Sequence, residues 1–338
     1  MHRPTLADIA RAAEVSTATV SHALNGTGRL SESTRRRVRE TATALGYSAA
    51  ATPRTRTIGV AVTTYRKAWN YTEVAYFSRA VAAATTAAHA RGYALTTLPA
   101  DRVTEDTWHG IAVDGMLVMD STPGDPMVRA LRARGIPLVF DGAPGDPHPT
   151  DRWVDNDHVA TTHEVLDHLT AAGARRIALQ SGSGGEHYAR VVTETYEAWC
   201  ARRSLPPLVV PFDEYDDEGR AFDEVLGRID AVHAVYDPGG RQLLAAAARH
   251  GLRVPDDLLL VCASEDPGYA ETEPPVTTVT LDPERTARTA VSLLVDLIEG
   301  GQAEGRRAEE EGQAEAPGQV LVPAGLRPRA SSRRRVMY

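Results

Sequence analysis

Short apolar runs alternate with helix-length amphipathic segments from Ile58 to about residue 280. Each run is long enough for one buried strand and each segment for one covering helix, which is typical of βαβ units with parallel sheets. One set of units ends near residue 150 and a second begins near residue 157, so we predict two α/β lobes with a cleft between them. The predicted strands are 58–62, 93–98, 115–119, 136–140, 176–180, 207–211, 232–236 and 258–262, and the predicted helices are 74–91, 156–172, 190–203, 218–229, 240–250 and 281–299.

A different pattern precedes the first strand, because residues 1–47 contain three short helical segments. The first has apolar residues at i, i+3, i+4 and i+7, and Thr5 is suited to cap its start. Three residues, 14–16, break the pattern before a second helix that begins at Thr17. A third helix follows Ser31 and ends at Gly46. Two helices joined by so short a break predict a helix-turn-helix unit.

The charge of the chain is divided between these two parts. The net charge is −8, but residues 1–57 carry nine arginines and four acidic residues, so this segment is +5 and the remainder is −13. Arginines on the third helix supply charge for DNA phosphates, and small side chains on the second helix allow its backbone to approach the major groove. The alternative interpretation is a helical cap on an enzyme, with arginines that are merely solvated.

Other chemistry receives little support from the sequence, and we expect no metal and no cofactor. Cys200 and Cys262 are too few for a disulfide framework or a thiolate cluster. His163 and His168 are five residues apart, about 140° around a helix, so one metal ion would not bind both. Ser181-Gly182-Ser183-Gly184-Gly185 lacks the lysine of a phosphate-binding loop. With no secretory segment and no apolar stretch of membrane-spanning length, we expect a cytoplasmic protein.

Several ordered motifs resemble the lactose-repressor (LacI) family of bacterial transcription regulators. In the headpiece they are Thr5-Leu6-Ala7-Asp8-Ile9-Ala10, Val15-Ser16-Thr17-Ala18-Thr19-Val20-Ser21-His22-Ala23-Leu24-Asn25, Ser31-Glu32-Ser33-Thr34-Arg35 and Leu45-Gly46-Tyr47. In the body they include Val113-Asp114-Gly115, Gly135-Ile136-Pro137, Gly173-Ala174-Arg175-Arg176-Ile177, Pro275-Val276-Thr277-Thr278-Val279 and Leu326-Arg327-Pro328. The resemblance covers nearly the whole chain apart from residues 300–319, which we predict to be a disordered loop.

The resemblance implies that different headpiece residues contact the bases and the phosphates of DNA. The second helix of the family reads the major groove, which assigns base contacts to Thr17, Ala18 and His22. Phosphate contacts are assigned to Thr5, Ser16, Thr19, Ser21, Asn25, Thr34 and Arg35.

Two features of the headpiece depart from the family pattern. Glu14 stands where the family usually has glycine, so either a left-handed position is strained here or the turn differs from the family's. The family's hinge helix, whose leucine wedges into the minor groove, is replaced by a shortened, leucine-free linker that contains Pro53. We predict that Arg54 and Arg56 of this linker contact the minor groove or phosphate instead; the alternative is a plain linker.

The body resembles the two-lobed fold of the periplasmic sugar-binding proteins. We therefore divide the chain into a headpiece at 1–47, a linker at 48–57 and a body at 58–338, with lobe 1 at about 58–155 and lobe 2 at about 156–280. The family's ligand-binding arginine falls on Val192 here, which argues against an ordinary sugar. The candidate effector-binding residues are Asp141, Tyr188, Arg190, Val192, Tyr215, Tyr236, Asp237, Ser264 and Glu265.

Together, these features indicate a sequence-specific DNA-binding transcriptional regulator rather than an enzyme. The resemblance implies a homodimeric repressor of a pseudo-palindromic double-stranded operator, controlled by a small-molecule effector such as a sugar or related metabolite. Two other classes stay open at this point: a solute-binding receptor, and an α/β enzyme with a helical cap.

Overall fold

A computed structural model describes residues 5–24, 30–45, 55–63, 73–98, 108, 110–182, 186–300 and 318–334. Three helices form the headpiece, and two six-stranded sheets form the lobes of the body. The helices are α1 (Leu6–Ala12), α2 (Thr17–Leu24), α3 (Glu32–Ala44), α4 (Ala75–Ala90), α5 (Pro126–Ala133), α6 (His158–Ala171), α7 (His187–Ala201), α8 (Asp237–Arg249) and α9 (Pro283–Gly300). The strands are β1 (Thr57–Val62), β2 (Ala94–Leu98), β3 (Gly115–Met119), β4 (Leu138–Asp141), β5 (Arg152–Asn156), β6 (Ile177–Ser181), β7 (Val209–Pro211), β8 (Ala231–Ala234), β9 (Leu259–Ala263), β10 (Thr277–Thr280), β11 (Gly318–Val322) and β12 (Gly325–Arg327).

A side-chain hydroxyl caps the N-terminus of each of the three headpiece helices. Thr5 caps α1 in a capping box, in which Asp8 Oδ2 accepts from the Thr5 backbone nitrogen at 2.8 Å. Ser16 Oγ accepts from Thr19 N at 3.0 Å at the start of α2, and Ser31 caps α3 in the same way. The helices enclose a small apolar core of Ile9, Ala10, Ala13, Val20, Ala23, Val38 and Ala42.

The turn after α1 has a left-handed residue. Glu14 has φ +52°, and the next backbone nitrogen, that of Val15, donates to Ala10 O at 3.0 Å. This 6→1 bond is the signature of a Schellman helix end, whose left-handed residue is usually glycine. Glu14 therefore adopts a conformation that its Cβ disfavours.

Replacing Glu14 with glycine is expected to stabilise the headpiece by about 0.5–1 kcal/mol, because glycine adopts positive φ without a Cβ clash. Amide hydrogen exchange of α1 and α2 in the full-length protein measures the change. Glu14→Ala is the matched control, since it keeps the Cβ and should gain nothing comparable. Equal protection in the glycine and alanine variants would show that this turn is not strained.

Both sheets are covered on two faces. Lobe 1 has the order β11-β5-β4-β3-β1-β2 with every pair parallel, and lobe 2 has the order β12-β10-β9-β8-β6-β7, in which only β12 runs antiparallel. Helices α4 and α9 cover one face of lobe 1 and α5 packs on the other. In lobe 2, α6 and α7 cover one face and α8 the other. These doubly covered parallel sheets account for the nearly continuous apolar runs in the sequence.

The chain passes between the lobes three times, after β5, after β10 and after β11. One buried side chain ties these crossovers together: Asn156 Nδ2 donates to Leu281 O at 3.2 Å and to Val322 O at 2.8 Å. Asn156 is only 6% exposed, so its amide is shielded from water. The three connections are therefore held at a common point beside the cleft.

Replacing Asn156 with alanine is expected to lower the free energy of unfolding by about 2–3 kcal/mol, because two carbonyl oxygens lose their shared donor. Urea denaturation of the full-length protein gives the value. Asn156→Asp separates hydrogen bonding from packing, since it keeps the volume but replaces the amide donor with an acceptor. If Asn156→Asp were as stable as the unchanged protein, the amide would contribute nothing at the crossovers.

Two predicted segments differ in the structure. The predicted helix at 218–229 is wrong: short 3-10 turns lie at Arg220–Phe222 and Leu226–Arg228 instead. Gly219 is left-handed at φ +65°, and the Asp216 carboxylate accepts from the next two backbone nitrogens, so a turn replaces the helix. The predicted disordered loop at 300–319 is too long at both ends, because Gly300 ends α9 and Gly318 begins β11; residues 301–317 lie outside the described residues.

Candidate DNA-reading face and effector cleft

Helix α2 presents an exposed polar face on the side away from the headpiece core. Thr17, Ala18 and His22 are exposed, whereas Val20 and Ala23 are fully buried against the other helices. The 3.6-residue period of the helix produces this separation. The three residues that were assigned to base contacts therefore share one accessible surface.

Several of the predicted phosphate-contacting residues have structural roles in the headpiece. Thr5, Ser16 and Thr34 take part in hydrogen bonds at the starts of their helices, and Ser16 Oγ lies 2.8 Å from Thr19 Oγ1. Ser21 is half-buried on α2. Arg35 Nη1 donates to His22 O at 3.4 Å, which connects α3 to the reading helix. Asn25 lies outside the described residues.

The end of the linker is attached to lobe 1. Asp114 accepts from Thr55 N at 2.8 Å and from Arg56 N at 2.9 Å. The Arg56 guanidinium lies 5.1 Å from the centre of the Tyr93 ring and 3.6 Å from a Glu299 carboxylate oxygen. This placement corrects the minor-groove prediction for Arg56, whose side chain packs on the body. Arg54 lies outside the described residues.

A cleft of about 900 Å³, part of it open to solvent, lies between the lobes. It is formed at the carboxyl ends of the strands, where parallel α/β sheets place their ligand sites. Asp120, Asp141 and Asp155 end or follow strands of lobe 1, and Tyr236 and Glu265 follow strands of lobe 2. A ligand in the cleft would therefore touch both lobes.

Six of the nine candidate effector residues line this cleft: Asp141, Tyr188, Tyr236, Asp237, Ser264 and Glu265. The other three do not. Val192 is 2% exposed and packs in the core of lobe 2, and Tyr215 is 66% exposed on a loop. Arg190 is on the surface, in contact with His187 Nδ1 at 3.1 Å and Glu194 at 3.4 Å. The assignment of these three to the pocket is corrected accordingly.

Asp155 and two histidines form a buried polar cluster in the cleft wall. Asp155 Oδ1 lies 2.8 Å from His158 Nε2, and Oδ2 lies 3.3 Å from His187 Nε2. Burial acts to raise the pKa of Asp155, but the hydrogen bonds from the histidines outweigh it and hold the pKa well below its usual range. Asp155 therefore remains an ionised acceptor that orients both imidazole rings.

Asp141 has a different environment. The Tyr76 hydroxyl donates to both of its oxygens, at 3.0 and 2.9 Å. Burial raises the pKa of Asp141 to about 8, and the negative charge of Asp120 adds to the effect. Burial also raises the pKa of Asp237 in lobe 2, although the Ser264 hydroxyl donates to its carboxylate. Both lobes thus present a buried carboxyl group to the cleft.

An ionic bridge connects the lobes at the edge of the cleft. Arg79 on α4 contacts Glu265 Oε2 at 3.0 Å and donates to Glu265 O at 3.0 Å. It also contacts Glu284 Oε1 at the start of α9 at 2.6 Å. Glu265 is 5% exposed, and its other oxygen accepts from Thr280 Oγ1 and Leu281 N, each at 2.7 Å. Glu265 therefore helps to set the separation of the lobes.

Sequence reasoning missed Tyr76, Asp120, Asp155, His158 and His187 as cleft residues. Asp120 had a usable signal, since it follows the predicted strand 115–119, whereas no strand was predicted around Asp155. The histidines had none, because their role depends on two helices of lobe 2 meeting a strand end of lobe 1. The predicted strand ends nevertheless located Asp141 and Tyr236.

The histidine pair His163 and His168 and the described part of the glycine-rich segment 181–185 have ordinary structural roles. His168 Nε2 lies 2.7 Å from Ser332 Oγ, and His163 Nε2 lies 3.3 Å from Arg202 on the neighbouring helix. At Gly182 a Cβ would lie 2.7 Å from the Tyr236 hydroxyl, so the glycine allows that ring to pack closely. Residues 183–185 lie outside the described residues.

Two kinds of site are absent from the residues that the structure describes. Among these residues, no cluster of three or more histidine, cysteine or acidic side chains is arranged to hold a metal ion. None of the helices described has the length and hydropathy needed to cross a bilayer.

An exposed helix-turn-helix face and a two-lobed body with a cleft define a DNA-binding regulator of the ligand-sensing class. Comparison with known proteins agrees with this class. The family model for bacterial regulatory proteins of the lacI family matches residues 5–49, and the model for the periplasmic binding protein-like domain matches residues 166–332. The chain therefore carries a LacI-family helix-turn-helix domain and a periplasmic binding protein-like domain.

Similarity to individual proteins extends over almost the whole chain. The HTH-type transcriptional regulator CelR of Thermobifida fusca is 29% identical over 324 residues, which cover 89% of this chain and 94% of that protein. A solved CelR–cellobiose complex has a TM-score of 0.69 at 26% identity and covers 97% of this chain and 100% of that one. The lac repressor dimer bound to operator and the anti-inducer ONPF has a TM-score of 0.66 at 22% identity, with 98% and 100% covered, which shows the shared fold.

Proposed function

We propose that the protein is a homodimeric transcriptional repressor that binds a pseudo-palindromic operator and is controlled by a small molecule bound between its lobes. The observation that carries this proposal is the combination, in one chain, of an exposed polar face on α2 and a cleft lined by both lobes. A protein with only the cleft would bind a solute, and one with only the headpiece would bind DNA without control. Repression by occlusion of the promoter follows as the simplest output.

Two copies would pair through their bodies, using the 74–91 region, and present two headpieces to half-sites about one helical turn apart. Within each half-site we assign base contacts to Thr17, Ala18 and His22. Phosphate contacts are assigned to the residues around them, and Arg54 is the remaining linker residue with a proposed DNA contact. The dimer bound to operator in the lac repressor structure supports this arrangement.

The coupling between effector and DNA would begin with a change in lobe separation. A ligand that touches Asp141 in lobe 1 and Tyr236 in lobe 2 favours the separation that best fits both sets of contacts. The Asn156 hydrogen bonds at the crossovers and the Arg79–Glu265 bridge between the lobes would have to adjust to that change in separation. Because Asp114 fixes the linker to lobe 1, movement of lobe 1 alters the spacing of the two headpieces.

The cleft is proposed as a binding site without turnover. Two proteins similar to this chain, CelR and the lac repressor, are named as a regulator and a repressor. A regulator needs only different affinities for its ligand in its two conformational states. We place the protein in the cytoplasm, where bacterial DNA is accessible to it.

Selection from a random double-stranded DNA pool tests the proposal. The full-length protein should enrich a motif with two related half-sites at near-physiological salt. A double variant, Thr17→Ala with His22→Ala, is selected in parallel and should enrich a weaker or altered motif while remaining folded. Failure of the folded, unaltered protein to enrich any motif would overturn the proposed operator binding.

A further inference from the structure

We propose that the effector is a small organic cation, a hydroxylated ring compound that carries a protonated amine. This inference rests on the proposed function, because it names the ligand class of the same cleft. It is drawn from the charges, hydrogen-bonding groups and aromatic faces that line the cleft.

The described lining is rich in carboxyl groups and contains neither lysine nor arginine. Five acidic residues contribute to it: Asp120, Asp141, Asp155, Asp237 and Glu265. Two of these have cationic or histidine partners within the protein, since Glu265 is paired with Arg79 and Asp155 with two histidines.

The hydrogen-bond donors to Asp141 and Asp237 are neutral. The Asp141 carboxyl group accepts from the Tyr76 hydroxyl, and the Asp237 carboxyl group accepts from the Ser264 hydroxyl. Arg241, the arginine with an electrostatic influence on Asp237, forms its ion pair with Asp266 instead. One acidic group on each lobe thus lacks an ion-pair partner in the described protein.

A buried carboxylate without a cation is costly, and an ammonium group removes that cost through charge-assisted hydrogen bonds. The raised pKa of Asp141, about 8, agrees with this environment: burial, the nearby Asp120 charge and the more distant Asp155 all favour the proton. An anionic ligand would add repulsion to the same groups. A bound ammonium group, beside which Asp141 ionises, is therefore favoured over a neutral or anionic group.

His158 lines the cleft without offering it an accessible hydrogen-bonding nitrogen. Its side chain is 6% exposed, and its Nδ1 has no hydrogen-bond partner among the described residues, while Nε2 bonds to Asp155. In the neutral ring with a proton on Nε2, Nδ1 is an acceptor. Because Nδ1 is itself closed to solvent, it does not specify the ligand, and the inference rests on the carboxyl groups and the aromatic rings.

The protein does not bring an arginine of its own to the cleft from α7. The position where the family carries its ligand-binding arginine is Val192, which is buried in the lobe 2 core. Arg190 contacts His187 Nδ1 from outside but does not line the cleft. None of the described lining residues is a lysine or arginine, so among them no side chain supplies the positive charge that the ligand would bring.

Aromatic rings define the shape of the remainder of the ligand. Phe77 lines the cleft from lobe 1, and Tyr188 and Tyr236 line it from lobe 2. Aromatic faces bind the flat sides of ring compounds, and they also attract cations. A ring that carries hydroxyl groups and one ammonium group matches both the aromatic walls and the acidic groups.

Matched sets of compounds test the inference on the full-length protein by isothermal titration calorimetry. Each set contains an amine, a neutral analogue and a carboxylate: D-glucosamine, D-glucose and D-glucuronate; and tyramine, 4-ethylphenol and 4-hydroxyphenylacetate. At least one amine should bind tenfold or more tightly than its neutral and anionic counterparts. Near pH 7 its binding should release a proton from Asp141, so the measured heat should depend on the ionisation enthalpy of the buffer.

Two substitutions locate the effect. Asp141→Asn should weaken amine binding at least tenfold and change binding of the neutral analogue no more than twofold. Asp217→Asn, which removes an exposed loop carboxylate, is the matched control and should change neither affinity. Stronger binding by the neutral or anionic members, or no binding by any amine in the panel, would overturn the inference.

Operator affinity measured with and without the bound compound separates this inference from the proposed function. If a neutral compound binds and changes operator affinity, the cation inference fails and the proposed function stands. If an amine binds with the expected dependence on Asp141 but operator affinity stays the same, the proposed effector control fails.

Discussion

At pH 8.5 the Asp141→Asn variant is expected to be more resistant to urea than the unchanged protein, by up to about 5 kcal/mol. The upper limit follows from the difference between the folded pKa of Asp141, about 8, and the ordinary value near 3.9, at about 1.4 kcal/mol per unit. The carboxyl group is partly buried and its hydrogen-bond donor is a neutral hydroxyl, so its ionisation opposes folding. Asparagine keeps an oxygen that accepts from Tyr76 and has no charge to bury.

The sign of the pH dependence follows from proton binding in the two states. Between about pH 4 and pH 8 the folded protein holds a proton on Asp141 that the unfolded chain has released. The stability of the unchanged protein therefore falls as pH rises through this window and levels off above the folded pKa. Asp155 acts in the opposite sense and at lower pH: its pKa is depressed, so its contribution is present above about pH 4 and is lost in acid.

Urea denaturation at several pH values between 5 and 9 measures the effect. The two stability curves should approach each other toward pH 5 and separate as pH increases up to about pH 8. Asp217→Asn is again the matched control and should follow the unchanged protein throughout. Parallel curves for Asp141→Asn and the unchanged protein would show that Asp141 is ionised in the empty cleft across the whole range.

The parallel sheets were predictable because their strands are covered by helices on both faces. Runs such as 115–119 and 258–262 are almost entirely apolar, so their burial is evident without any knowledge of topology. The segment 218–229 misled the same reasoning, since Phe222, Leu226 and Ile229 are buried at helical spacing. There the Asp216 carboxylate and left-handed Gly219 outweigh the apolar pattern, and local hydrogen bonds determine the turns.

The cleft was predictable only in part. Residues that follow predicted strands, such as Asp141 and Tyr236, were found by the rule that ligand loops follow the carboxyl ends of parallel strands. The contact of His158 and His187 with Asp155 depends on how three crossovers bring the lobes together, and no local pattern contains that information. Val192 was assigned by alignment with a family motif, but the face of α7 on which it lies packs inward.

The headpiece was predictable at the level of individual residues because its helices are short and their caps are local. Thr5, Ser16 and Ser31 all act as caps, and each is identified by its own position before a helical pattern. The linker was less accessible to this reasoning. Arg56 has the charge expected of a DNA contact, but its backbone bond to Asp114 and its position beside Tyr93 depend on the body.

Replacing His22 with alanine is expected to remove discrimination at one base position in each half-site. One good base contact contributes about 1–3 kcal/mol, so the loss over two half-sites is about 2–6 kcal/mol for the preferred operator. His22 is exposed on the same face as Thr17 and Ala18, while its backbone belongs to a helix anchored by Val20 and Ala23. Removal of the imidazole should therefore leave the helix in place.

Fluorescence anisotropy with operators that carry each base at the affected position measures the effect. Arg35→Ala provides the contrast: it should weaken binding to all these operators by a similar factor and reduce the dependence of affinity on salt, because its proposed contact is with phosphate. His148→Ala, which removes an exposed histidine of lobe 1, is the matched control.

The pattern across base variants, rather than the size of the loss, decides the role of His22. A base-reading histidine contributes to the preferred operator and little to the others, so its removal should bring the four affinities closer together. A uniform loss of affinity across all four bases would instead assign His22 to a contact with the DNA sugar-phosphate backbone. In that case the imidazole would contact phosphate or sugar rather than a base edge.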